Sequence, residues 1–111
     1  MIAQRYQELA MRTASIPEEN KEDRLYHAVF GLCSEAGEVA GILQKTYQGH
    51  EMNQDHLIKE LGDCLWMIAE ACDALDVTMD DVMYQNIEKL RKRYPEGFEV
   101  ERSLHRKEGD V

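Results

Sequence analysis

The chain is 111 residues long and carries 22 acidic against 13 basic side chains, a net charge of −9. That length supports one domain with a modest core, and the acidic balance disfavours non-specific nucleic-acid binding, which rests on basic patches. No apolar run approaches the ~18 residues of a membrane span and nothing resembles a signal peptide, while three cysteines without a C-x-x-C pair read as reduced thiols of a cytoplasmic protein.

Residues 2–14 place Ile2, Tyr6, Leu9 and Ala10 at helical spacing and predict a first short amphipathic helix. Ser15, Pro17 and Asn20 then supply turn chemistry. A second helix is expected over about 24–48, with the stripe Leu25, Val29, Leu32, Ala36, Val39, Ala40, Leu43 and Tyr47. Gly49 suits a C-terminal cap and Asn53 an N-cap. The third helix, 54–75, carries Leu57, Leu61, Cys64, Leu65, Ile68, Cys72 and Leu75 as its stripe. The fourth, 79–93, is ended by Pro95 and Gly97. Residues 1–98 form the expected domain, and 99–111 read as a polar tail, loose unless a partner orders it. Four helices, no strand pattern and short loops predict an all-α antiparallel four-helix bundle.

Two acidic pairs stand out inside the apolar helices: Glu35 with Glu38, and Glu60 with Asp63. Residues at i and i+3 share a helix face, and like charges there repel. A divalent cation turns that repulsion into ligation, since magnesium prefers hard oxygen donors. At about 100° per residue, Glu35 and Glu38 lie roughly 80° and 140° from the middle of their stripe. Glu60 and Asp63 lie roughly 90° and 150° from theirs, in the same sense. If the two helices pack stripe to stripe, these equal offsets put all four carboxylates on one side of the seam.

Other metals fit less well. The four histidines, His27, His50, His56 and His105, fall at no zinc spacing, and no Glu-x-x-His word of a di-iron bundle occurs. Oxygen donors alone favour Mg²⁺ or Mn²⁺. His50 and His56 are expected as surface side chains. Trp66 lies off its helix's stripe and, with Tyr26 and Phe30, is assigned to a subunit interface.

The run Leu32-Cys33-Ser34-Glu35-Ala36-Gly37-Glu38-Val39-Ala40, followed by Lys59-Glu60-Leu61-Gly62-Asp63-Cys64-Leu65-Trp66, resembles the MazG-like nucleotide pyrophosphohydrolases of the all-α nucleoside triphosphate pyrophosphatase superfamily. A third block from Asn86 through Lys89 and Arg93 to Pro95 is similar to the family's N-x-x-K-x-x-x-R segment. The resemblance implies hydrolysis of a (deoxy)nucleoside triphosphate to the monophosphate and pyrophosphate. It implies Glu35, Glu38, Glu60 and Asp63 as magnesium ligands, with Glu38 favoured as general base. Asn86, Lys89 and Arg93 would contact phosphates, as would Lys45 from the second helix. It also implies a homodimer or homotetramer. Two rival readings stand beside it: hydrolysis of phosphoribosyl-ATP by a related all-α enzyme, and a non-catalytic module that binds metal and nucleotide.

Overall fold

The computed structural model describes residues 1–111 and contains five helices and no strands. In order they are α1 (Ala3–Met11), α2 (Lys21–Tyr47), α3 (Gln54–Ala74), α4 (Met79–Arg93) and α5 (Val100–Leu104). The chain forms two compact units, Met1–Met79 and Asp80–Val111. None of the helices is long and apolar enough to cross a membrane.

In the first unit the helix ends follow from local chemistry. The Asn53 side chain accepts a hydrogen bond from the His56 amide at 3.1 Å, an N-cap for α3. After α2, Gly49 adopts φ +103°, and the amides of His50 and Gly49 donate to Lys45 O and Thr46 O at 3.0 Å each. This is the Schellman arrangement, which needs a residue that tolerates the left-handed region. Asp76 (φ 56°) does the same after α3, with Val77 N bonded to Cys72 O. The Gln7 side chain bridges the α3–α4 connection, donating to Val77 O at 3.0 Å and accepting from Met79 N at 2.7 Å.

The core of this unit is small. Ala10, Ala69, Cys72 and Met79 are buried together, with Tyr6, Met11, Trp66 and Ile68 packed around them. Trp66 is therefore partly buried against the chain's own core, on a face expected to be left free of it. Its indole N–H donates to Ala10 O at 2.9 Å and to Thr13 Oγ1 at 3.0 Å, tying α3 to the end of α1. Its off-stripe position is explained by α1, which covers a second side of α3.

The expected stripes are only partly buried: Leu25, Leu32 and Val39 on α2 are half-buried, and Cys72 on α3 lies in the core. Val29, Leu43 and Tyr47 on α2, and Leu61 and Leu65 on α3, are exposed. The helices meet through Arg24 and Asp73, His27 and Glu70, and Gly31 and Met67. Each step of three or four residues forward on α2 is matched by a similar step back on α3, as antiparallel helices require. The contact face of α2 is thus rotated by roughly a quarter turn from the stripe. A Cβ on Gly31 would come within 2.7 Å of Met67 Cε, so any side chain here would have to push the end of Met67 aside.

In the second unit α4 has the boundaries expected from sequence. Asp80 and Asp81 occupy its first turn, and Arg91, Lys92 and Arg93 its last, the arrangement that complements the helix dipole. The Tyr94 and Phe98 rings pack at 5.2 Å. The residues beyond Phe98 are not a loose tail. They form α5, and Asp110 accepts two hydrogen bonds from the Arg93 guanidinium, at 2.8 and 2.7 Å.

Candidate metal centre

The rotated seam has a direct consequence for the acids. Glu35 stands on the side of α2 that faces α3, one turn on from Gly31. Across from it, oxygens of Glu35, Glu60 and Asp63 all lie within 4.8 Å of one another. Three of the four predicted ligands therefore converge on one point. Glu38 does not join them: 60° further round α2, it is exposed. It remains close enough that its charge acts on Glu35.

The three carboxylates also perturb one another electrostatically. Burial pushes the Glu35 carboxyl above the ordinary carboxylate range, helped by the close approach of the Glu60 carboxylate and by the charges of Asp63 and Glu38. The Glu60 side chain is only 15 % exposed. Its Oε1 is engaged by His56 Nε2 at 3.1 Å, whereas Oε2 is buried with no hydrogen-bond partner. An unpartnered buried carboxylate oxygen is costly, and here it stands beside two further carboxylates. A hard divalent cation satisfies that oxygen and cancels the repulsion in one step, so the donor set fits Mg²⁺ or Mn²⁺.

Two nearby groups were not anticipated. His56 orients Glu60 from one turn earlier on α3, and its i,i+4 spacing was the available signal. The Tyr6 phenol, from α1, is raised above its usual value by burial and by the Asp63 charge. No sequence periodicity links α1 to an acid on α3. Further along the seam Glu70 is fully buried, its Oε1 2.5 Å from His27 Nδ1 and its Oε2 unpartnered. Arg24, itself buried, pairs with Asp73 and donates to Ile16 O at 2.8 Å.

The expected phosphate contacts fall in different places. Lys45, with Ile42, His50, Glu51, Asn53 and His56, lines a cavity of about 210 Å³ at the α2–α3 turn, and His56 joins that cavity to Glu60. Asn86, Lys89 and Arg93 are on α4 of the second unit. Asn86 is exposed. Lys89 and Arg93 line a separate cavity of about 640 Å³ within that unit. The Arg93 guanidinium is already engaged by Asp110.

Comparison with known proteins bears on this geometry. The family model described as the MazG nucleotide pyrophosphohydrolase domain matches residues 27–98, a span that includes both acidic pairs and the α4 cations. The chain is similar to the Gene 37 protein of Mycobacterium phage L5, 34 % identical over 100 residues, covering 83 % of this chain and 88 % of that protein. No solved structure matches the chain.

Proposed function

Because the chain belongs to the MazG nucleotide pyrophosphohydrolase domain family, we propose that it hydrolyses a (deoxy)nucleoside triphosphate to the monophosphate and pyrophosphate. The observation that carries this reading is the convergence of Glu35, Glu60 and Asp63 around the buried, unpartnered Glu60 Oε2. Those three residues would hold Mg²⁺, or Mn²⁺ in its place. The ion, when bound, neutralises triphosphate charge and polarises a phosphoryl group and a water.

The chain's own residues supply the rest. His56 fixes the Glu60 carboxylate, leaving Oε2 for the ion. Glu38, outside the trio and exposed to solvent, would serve as general base, accepting a proton from water. Lys45, which lines a cavity with His56, would contact anionic oxygens, and the resemblance assigns Lys89 and Arg93 on α4 as further phosphate contacts. Tyr26 and Phe30 stack at 6.1 Å on an exposed face of α2, and a second copy covering them would complete the bundle as a homodimer or homotetramer.

A panel of canonical nucleoside triphosphates with Mg²⁺, followed by pyrophosphate release, tests the reading. Turnover of at least one nucleotide is expected, and none from a folded protein overturns it. Glu38→Gln should lower kcat by roughly 10²-fold or more while leaving Mg²⁺ affinity nearly unchanged, and Asp63→Asn should lose both. Stabilisation by nucleotide without product would mark the chain as a binding module, and turnover confined to phosphoribosyl-ATP would mark the other hydrolase.

A further inference from the structure

The charge of the chain is divided unevenly. The first unit holds 6 basic and 14 acidic side chains, the second 7 basic and 8 acidic. Within the second unit the basic groups are gathered around the cavity of about 640 Å³, a volume in the range of small-molecule sites. Lys89, Lys92 and Arg93 line it from α4, and Arg106 and Lys107 from the chain beyond α5. The ion pairs of this unit are Arg91 with Glu88, Arg93 with Asp110, Arg102 with Glu99 and His105 with Glu101. Lys89, Lys92, Arg106 and Lys107 are left without a carboxylate partner.

Four unpaired cations around one cavity repel each other, and folding the chain end back over α4 increases that repulsion. Three carboxylates, Glu88, Glu108 and Asp110, line the same cavity, and of these Asp110 is the one paired with a lining cation. It grips the Arg93 guanidinium with both oxygens, and both side chains are more than four-fifths buried. The two-pronged contact is the one a phosphate group makes with arginine. Lys89 and Arg106 also act on Asp110, so its carboxylate sits where their fields overlap.

We propose that the cleft between α4 and the C-terminal segment binds a small phosphate polyanion, which displaces Asp110 from Arg93 and recruits Lys92, Arg106 and Lys107 as further contacts. The site lies wholly within the second unit. It rests on the reading of Lys89 and Arg93 as phosphate contacts, but it requires neither the acidic trio nor a metal. The segment ending at Asp110 thus has two roles: it supplies cations to the cleft, and it fills the cleft with a carboxylate until a stronger anion arrives.

The test is calorimetric titration of the full chain with inorganic pyrophosphate in EDTA at physiological ionic strength. Saturable binding is expected. The double substitution Arg106→Ala with Lys107→Ala, at exposed positions, should weaken it by roughly tenfold or more, the loss of two charge-assisted contacts. Lys92→Ala should weaken it as well. Asp110→Asn should tighten it several-fold, because the resident competitor loses its charge. Absence of binding in both the natural chain and Asp110→Asn overturns the proposal. So does binding indifferent to Arg106 and Lys107, or weakened by Asp110→Asn. With divalent ions removed no turnover is read, so failed catalysis leaves this result standing, and failed metal-free binding leaves the hydrolase reading standing.

Discussion

Replacing Glu60 by glutamine isolates the strain at the acidic trio. The change keeps the shape of the side chain and removes one charge from three oxygens that lie within 4.8 Å of one another. At that separation each like-charge pair costs about 3.5 kcal/mol for an effective dielectric of ~20, and about 0.9 kcal/mol in bulk water. Glu60 takes part in two such pairs. Asp63 is exposed, which screens one of them, and solvent around the site screens part of the other. Loss of the His56 contact subtracts a few tenths of a kcal/mol. A net gain of about 1–2 kcal/mol is expected without divalent ions, or about 4 °C in Tm for each kcal/mol. With Mg²⁺ the order reverses. The natural chain gains about 2.7 kcal/mol at a hundredfold excess over Kd, and the variant, lacking a ligand, gains little. Thermal denaturation of both proteins, in EDTA and in Mg²⁺, reads all four values. A natural chain indifferent to Mg²⁺, with a variant no more stable than it in EDTA, refutes the reasoning.

Arg24→Ala leaves Asp73 in the seam without its guanidinium partner and should cost about 3 kcal/mol, the lower end of the range for a broken buried pair because Asp73 is 27 % exposed; urea denaturation measures it. Gly31→Val drives methyl groups into Met67 and should cost about 1–3 kcal/mol, visible in the same assay and smaller when Met67 is also shortened to alanine. The docking of the C-terminal segment should depend on acid. Hydrogen bonding to Arg93 lowers the Asp110 pKa, so its contribution is fully present above the unfolded carboxylate value of about 3.9. That contribution is lost as pH falls through the lower, folded value. Amide exchange of residues 105–111 should therefore stay protected at pH 5 and above and accelerate only in stronger acid.

The helices themselves were legible because their punctuation is local. Asn53, Gly49 and the Pro95–Gly97 stop act within a few residues of the boundary they set, and α4 begins and ends where its caps and charges say. The acidic words were legible too, because three residues is a fixed angle on any helix. What misled was the assumption that the longest apolar stripe faces the chain's own core. On α2 the stripe residues Val29, Leu43 and Tyr47 are exposed, and the intramolecular seam is made by Arg24, Ala28, Gly31 and Glu35. Charged and small side chains carry no hydrophobic periodicity, so that face is silent in a pattern of apolar residues. The same rotation explains why Glu35 lies among the ligands and Glu38 outside them. The ordering of residues 99–111 was hidden for another reason: one ion pair across seventeen positions, Arg93 with Asp110, leaves no mark in composition.

The ladder along α2 and α3 also governs alignment. A slide by one helical turn, about 5.4 Å, would carry Glu70 from His27 to Gly31 and set Met67 against Glu35, stranding a buried charge and a thioether at once. Apolar stripes forgive such slippage; this seam does not. The carboxylate trio is indexed, like the last tooth of a rack, by the Arg24–Asp73 pair about three turns away along α2. An alteration at Asp73, which touches no acid of the trio, would still change how many carboxylates meet an incoming cation.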